Sequence, residues 1–122
     1  MILVDSSVWV DHLRKNERGM HRLLGVGQVL SHPFVIGELA MGSFKRRDLL
    51  LNELMDLPQA KVAADDEVLH FVSRYALFGS GIGYIDAHLL AAVRLMPGTL
   101  LWTRDKRLLE IASNLRLAAA EQ

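Results

Sequence analysis

The stretch ILVDSSVW, residues 2–9, decides how the rest of the chain is read. Three aliphatic residues, Ile2 to Val4, fit a short buried strand. The run stops at Asp5, a charge that interior positions avoid. Ser6 and Ser7 follow, and either can cap a helix reaching about Lys15, with Trp9 and Leu13 on one face four residues apart. A carboxylate at the tip of a core strand needs a reason. The carboxyl ends of strands are where α/β sheets bind ligands, and Asp5 stands at such an end.

Working outward, strands and helices keep alternating. Arg18 to Leu24 reads as a short helix ending at Gly25 or Gly27, and QVLSH as a brief strand. Pro33 and Gly42 bracket a helix over FVIGELAM that carries Glu38. A longer helix spans about Lys45 to Leu57, with Leu50, Leu54 and Leu57 as its stripe and Pro58 after it. AKVAA reads as a further strand. Asp65, Asp66 and Glu67 crowd the start of the next helix, where the dipole favours acids. Val68, Val72, Tyr75 and Ala76 form its apolar face. The loop GSGIGY precedes a helix with Ile85, Leu89, Ala92, Val93 and Met96 at helical spacing, stopped by Pro97-Gly98. TLLW is a strand, RDKRLLEIA a turn and helix, and LRLA a last strand. The pattern predicts an α/β fold with a short, mainly parallel sheet and helices on both faces.

Composition narrows the function. The 122 residues fit one domain, 1–122, with 51% hydrophobic residues for its core. There is no cysteine, so disulfides, thiolate metal sites and cysteine nucleophiles are excluded. A formal net charge of zero argues against indiscriminate binding to nucleic acid but leaves room for a local basic rim. No apolar run approaches the roughly 18 residues of a membrane-spanning helix, and no signal-peptide pattern opens the chain. A soluble cytoplasmic protein is expected, with no membrane partner.

Four acids stand out. Asp5 follows a strand, and its alternative reading is a helix cap, a job Ser6 or Ser7 could do as well. Asp105 repeats the pattern after TLLW and Thr103, again with a cap or turn as the alternative. Glu38 lies in an otherwise apolar short helix, where the alternative is a solvated position. Asp86 opens the helix of YIDAHLLAA, a position that suits an acid on dipole grounds alone. Converging carboxylates repel: at about 4 Å a pair costs roughly 1 kcal/mol in water and several times that when partly buried. Protonation or a bound cation relieves this. All-oxygen ligands suit Mg²⁺ or Mn²⁺ rather than zinc, and Mg²⁺ held by carboxylates keeps waters and accepts substrate phosphate.

Four blocks in this order, ILVDSSVWVD, GELAMG, YIDAHLLAA and LWTRDKRL, resemble PIN-domain ribonucleases, specifically VapC-type toxins of toxin–antitoxin pairs. The resemblance covers essentially the whole chain. It implies a PIN-like three-layer α/β/α fold and an endoribonuclease dependent on Mg²⁺ or Mn²⁺. It implies that Asp5, Glu38, Asp86 and Asp105 form the acidic catalytic and metal site, with Ser7 and Thr103 as nearby hydroxyls that hold waters or carboxylates in place. It also implies RNA as substrate, a homodimer, and inhibition by a cognate VapB-like antitoxin. In the family the region corresponding to Val8, Trp9, Val10, Leu13, Leu23, Leu24 and Val26 forms the antitoxin's groove; the alternative is ordinary core. The GSGIGYID loop departs from any fixed family pattern, which bears on the orientation of Asp86.

Basic residues cluster at FKRRD (44–48), at TRDKR (103–107) and at Arg14-Lys15. Each reads either as a solvated helix end or as a rim for RNA backbone. Arg104 and Lys106, flanking Asp105, are the better RNA-contact candidates. The five histidines show no zinc spacing, and His88, two residues after Asp86, is expected in core or surface. Trp9 and Trp102 are expected in the core. A receiver domain would need an acid pair after the first strand, which Ser6 and Ser7 replace. A serine hydrolase would need a placed His base, which no spacing supports. A catalytically inactive PIN-like module binding RNA or protein is the alternative; the presence of all four acids weighs against it.

Overall fold

The computed structural model describes residues 1–122. Strand β1 (Ile2–Val4) runs into α1 (Ser6–Lys15), and α2 (Arg18–Gly25) leads to β2 (Val29–Leu30). Four helices then follow: α3 (Pro33–Ala40), α4 (Arg47–Asp56), α5 (Asp65–Arg74) and α6 (Tyr84–Arg94). Strand β3 (Leu100–Trp102) and α7 (Lys106–Asn114) complete the order.

The strands form one parallel sheet in the order β2-β1-β3. Leu3, in the central strand, pairs with Leu30 on one side and Leu101 on the other. The chain leaves β1 toward β2 and later passes back to β3 on the opposite side. With right-handed crossovers that reversal puts the connecting helices on opposite faces of the sheet, giving the α/β/α layering of a PIN-like fold. The reversal falls between β1 and β3. Their carboxyl ends flank the crevice where open α/β sheets hold ligands.

Burial explains the element boundaries. Leu3, Val4, Leu101 and Trp102 are almost fully buried at the sheet, together with Leu89 and Leu90 of α6. Helix α6 is buried continuously from Ala87 to Val93, as an almost wholly apolar helix must be. Pro33 occupies the first turn of α3, where its missing N–H costs nothing, and the His32 ring nitrogen accepts the Phe34 N–H as the cap. Trp9 and Trp102 lie in the core as expected.

Several expectations need correction. AKVAA is not a strand: the nearest pairing is a single bridge just before it, Ser31 to Gln59. LRLA likewise makes only one bridge, Leu101 to Ala118. Both flank a sheet of two- and three-residue strands, so each edge offers room for little more. Neither Ser6 nor Ser7 caps α1; Asp5 holds the cap position but makes no side-chain cap bond. Ile85 is exposed and Ala76 lies outside α5, while Phe71 supplies the buried aromatic of that helix. Of the apolar set at 8–26, Val8, Trp9 and Leu23 are core, whereas Leu13 and Val26 are exposed.

Candidate active site

The crevice between β1 and β3 is built from one closed hydrogen-bond network. Asp5 is buried, 5% exposed, at the end of the central strand. Its backbone N–H donates to the Trp102 carbonyl at 2.9 Å, locking the two strand ends together. The Ser7 and Thr103 hydroxyls donate to the same Asp5 oxygen, Oδ2, at 2.7 and 2.8 Å. Each hydroxyl in turn accepts a backbone N–H: Ser7 Oγ from Arg104, and Thr103 Oγ1 from Asp105, both at 3.1 Å. Two hydroxyl donors replace the water that burial removes from one carboxylate oxygen. Oδ1 has no protein partner.

The other acids follow the same rule of one oxygen tied and one free. Asp105 caps α7, with Oδ1 accepting the Leu108 N–H at 3.0 Å. Asp86 Oδ2 accepts the Gly83 N–H at 3.1 Å and so fixes the start of α6. Glu38 Oε1 accepts the Ser6 hydroxyl at 3.3 Å. Glu38 is exposed, not enclosed by its apolar helix, because it sits on the rim where α3 meets the first turn of α1.

The four acids share one electrostatic neighbourhood. Desolvation, then the charge of Asp5, pushes the Glu38 carboxyl above its ordinary value; Ser6 opposes this and Asp86 adds to it. Desolvation also raises Asp86; the Gly83 N–H opposes it, while Asp5 and Asp105 add to it. Burial first, and neighbouring acids second, hold both carboxyls up, as in a crowded anionic site. No three His, Asp or Glu side chains in the chain form a ready-made ligand cage.

Arg104, expected as an RNA contact, has its side chain engaged within the protein. Its guanidinium Nη1 donates to Asp11 at 2.8 Å and to Glu17 at 2.7 Å, and its Nε donates to Glu121 at 3.1 Å. It also lies over the Trp102 ring. The side chain is only 26% exposed. Lys106, by contrast, is exposed at the first position of α7 beside Asp105. His88 is buried, edge-on to Phe34 and Tyr84, and is core. Gly81 has φ +94°, and the Arg107 side chain occupies the space a Cβ would need. That contact packs the glycine loop before Asp86 onto α7. Ser6 and Arg107 were missed in the sequence. Ser6 meets Glu38 across 32 residues, and nothing local signals such a pair.

A parallel three-strand sheet with an acidic crevice at its switch point defines a class, and sequence comparison agrees: the PIN domain family matches residues 2–114, and the chain belongs to that family. Within it the chain is VapC-type. It is 48% identical over 122 residues to Ribonuclease VapC32 of Mycobacterium tuberculosis, in both strains CDC 1551 / Oshkosh and H37Rv. The match covers 100% of this chain and 98% of those proteins. The crystal structure of PAE2754 from Pyrobaculum aerophilum shares the fold, with a TM-score of 0.63 at 19% identity over 98% of this chain and 96% of that one.

Proposed function

We propose that this chain is a metal-dependent endoribonuclease, the toxin of a VapBC-type pair, and that it cuts RNA at the crevice of Asp5, Glu38, Asp86 and Asp105. The observation that carries the reading is the set of four carboxylates, each with one oxygen tied and one free, two of them raised by burial and then by the charges of the others. The name of the 48% identical relative supports ribonuclease activity. The four acids would hold Mg²⁺ or Mn²⁺. Bound there, the ion supplies Lewis-acid polarisation of a phosphoryl oxygen and a more acidic water.

The chain's own residues do the rest. Ser7 and Thr103 hold Asp5 in one orientation, so its free oxygen keeps its aim. The cap bond of Asp105 does the same for that acid. Lys106 stands exposed beside Asp105 and supplies positive charge for RNA backbone. Cleavage of RNA by purified, antitoxin-free protein with Mg²⁺, with Mn²⁺ and with EDTA tests the reading. Activity with either ion and none with EDTA is expected. An inactive RNA- or protein-binding module would also lack a closed ligand cage, and it would show no cleavage under any condition.

The proposed partner is a VapB-like antitoxin, and a homodimer is the proposed assembly. Between α1, α2 and α4 lies a cleft of about 130 Å³ lined by Trp9, His12, Leu13, Leu24, Leu50 and Leu54. An apolar helix or extended tail seated there, with an Arg or Lys reaching the acids, would block the site. Hydrogen exchange on the co-purified pair should show protection within residues 8–26. Protection confined to the far end of the chain would remove this interface.

No helix is long and apolar enough to cross a membrane.

A further inference from the structure

Past the end of β3 at Trp102, the Thr103 and Arg104 side chains take separate partners before the chain reaches Asp105, whose backbone is extended. Thr103 turns inward and donates to Asp5. Arg104 turns the other way, into three carboxylates drawn from α1, from the link after it and from the end of the chain. Glu121 is itself held by the Trp102 indole N–H, at 3.2 Å. The backbone N–H of this same Arg104 donates to Ser7 Oγ. One peptide segment is therefore pinned on both sides. A backbone rotation at Arg104 would break the side-chain clamp, the N–H bond to Ser7 and the Thr103 bond to Asp5 together.

We propose that Arg104 is a positioning residue: clamped by Asp11, Glu17 and Glu121, it fixes the Thr103 and Ser7 hydroxyls that aim Asp5, and it does not contact RNA. The inference rests on the nuclease reading above. Three carboxylates within 3.1 Å of one guanidinium make its surroundings net negative. An RNA phosphate would have to displace them against their own charge. The planar fork also matters, because it serves Asp11, Glu17 and Glu121 at once and a compact ammonium cannot.

The test compares Arg104→Ala, Arg104→Lys and Glu121→Gln with wild type and Asp5→Asn. Two readouts are taken: kcat and KM for RNA cleavage with Mn²⁺, and the methyl NMR resonance of Thr103 in metal-free protein. Arg104→Ala should lower kcat about tenfold or more with KM unchanged, in the range seen when a group supporting a metal ligand is lost. Arg104→Lys should not rescue it. Glu121→Gln leaves two of the three carboxylates in place, so it should fold and show a smaller kcat loss in the same direction. In all three variants the Thr103 resonance should shift or broaden. A raised KM at wild-type kcat, with rescue by Lys, would assign Arg104 to RNA binding and overturn the proposal. So would a lowered KM in Glu121→Gln, which frees the guanidinium. An unchanged Thr103 resonance in folded Arg104→Ala or Glu121→Gln would overturn it as well. If Asp5→Asn cleaves like wild type, the nuclease reading fails, and the Thr103 resonance still decides the clamp.

Discussion

Asp5→Asn is expected to leave the fold standing and to lower Mg²⁺- or Mn²⁺-dependent RNA cleavage by about two to three orders of magnitude, the loss seen when one preorganised charge-stabilising group is removed. The amide oxygen can still accept the Ser7 and Thr103 hydroxyls that Asp5 Oδ2 accepts now. The amide nitrogen then occupies the place of Oδ1, turning two N–H donors toward a position that needs an anionic oxygen. Asp5→Ala is a poorer test. It leaves two hydroxyl donors without an acceptor in a buried site, at about 1–3 kcal/mol for each lost partner. Asp105→Asn is a second clean variant, because Asn caps a helix about as well as Asp and the bond from Leu108 N–H survives. Rates measured at equal metal, with circular dichroism to confirm folding, decide the matter. Wild-type cleavage by Asp5→Asn would remove Asp5 from the proposed chemistry.

How much of this was legible in the sequence depends on whether the signal was local. ILV followed by a polar pair, and the near-continuous apolar run of α6, are local patterns, and they gave β1, α1 and α6 close to their observed limits. The carboxyl-end rule then put Asp5 and Asp105 at neighbouring strand tips, because β1 and β3 are parallel partners. Periodicity failed where an element's face runs past the core. Ile85 keeps helical spacing with Leu89, yet it belongs to the first turn of α6, which projects toward the site and solvent. AKVAA and LRLA have strand composition, but a strand is made by its partner, and the short edges of β2 and β3 each offer one bridge. The Arg104 clamp was illegible for the same reason. Its partners lie 93, 87 and 17 residues away, and beside Asp105 the arginine reads as part of a basic rim.

Adding Mg²⁺ or Mn²⁺ at neutral pH is expected to raise the melting temperature, and Glu38→Gln to raise it in metal-free protein while blunting the metal response. An ion present at a hundred times its Kd, bound only by the folded state, stabilises by about 2.7 kcal/mol. For a chain of this size that is about 10 °C. The direction of the mutant effect follows from protonation. Glu38 and Asp86 have folded values raised above 4.5 and 3.8, mainly by desolvation and then by neighbouring acids. A carboxyl raised in the folded state binds its proton more tightly there. Its contribution to stability is full below the unfolded value and is lost as pH rises through the folded one. Asp11 and Glu17 run the other way: their hydrogen bonds to Arg104 hold them below 3.8 and 4.5, and their contribution is lost only as pH falls through those lower values. The two windows are separate. As pH rises from the ordinary carboxyl values through the raised folded ones, metal-free stability should therefore decline through the acidic crevice, and the gain from metal should grow over the same range as the ion replaces the departing protons. Glu38→Gln removes one of the two raised groups and should flatten both curves. Melting curves at pH 5, 6 and 7, with and without Mn²⁺, measure this. A metal-free slope in Glu38→Gln equal to that of wild type would mean that the four acids are too far apart in solution to act as one site.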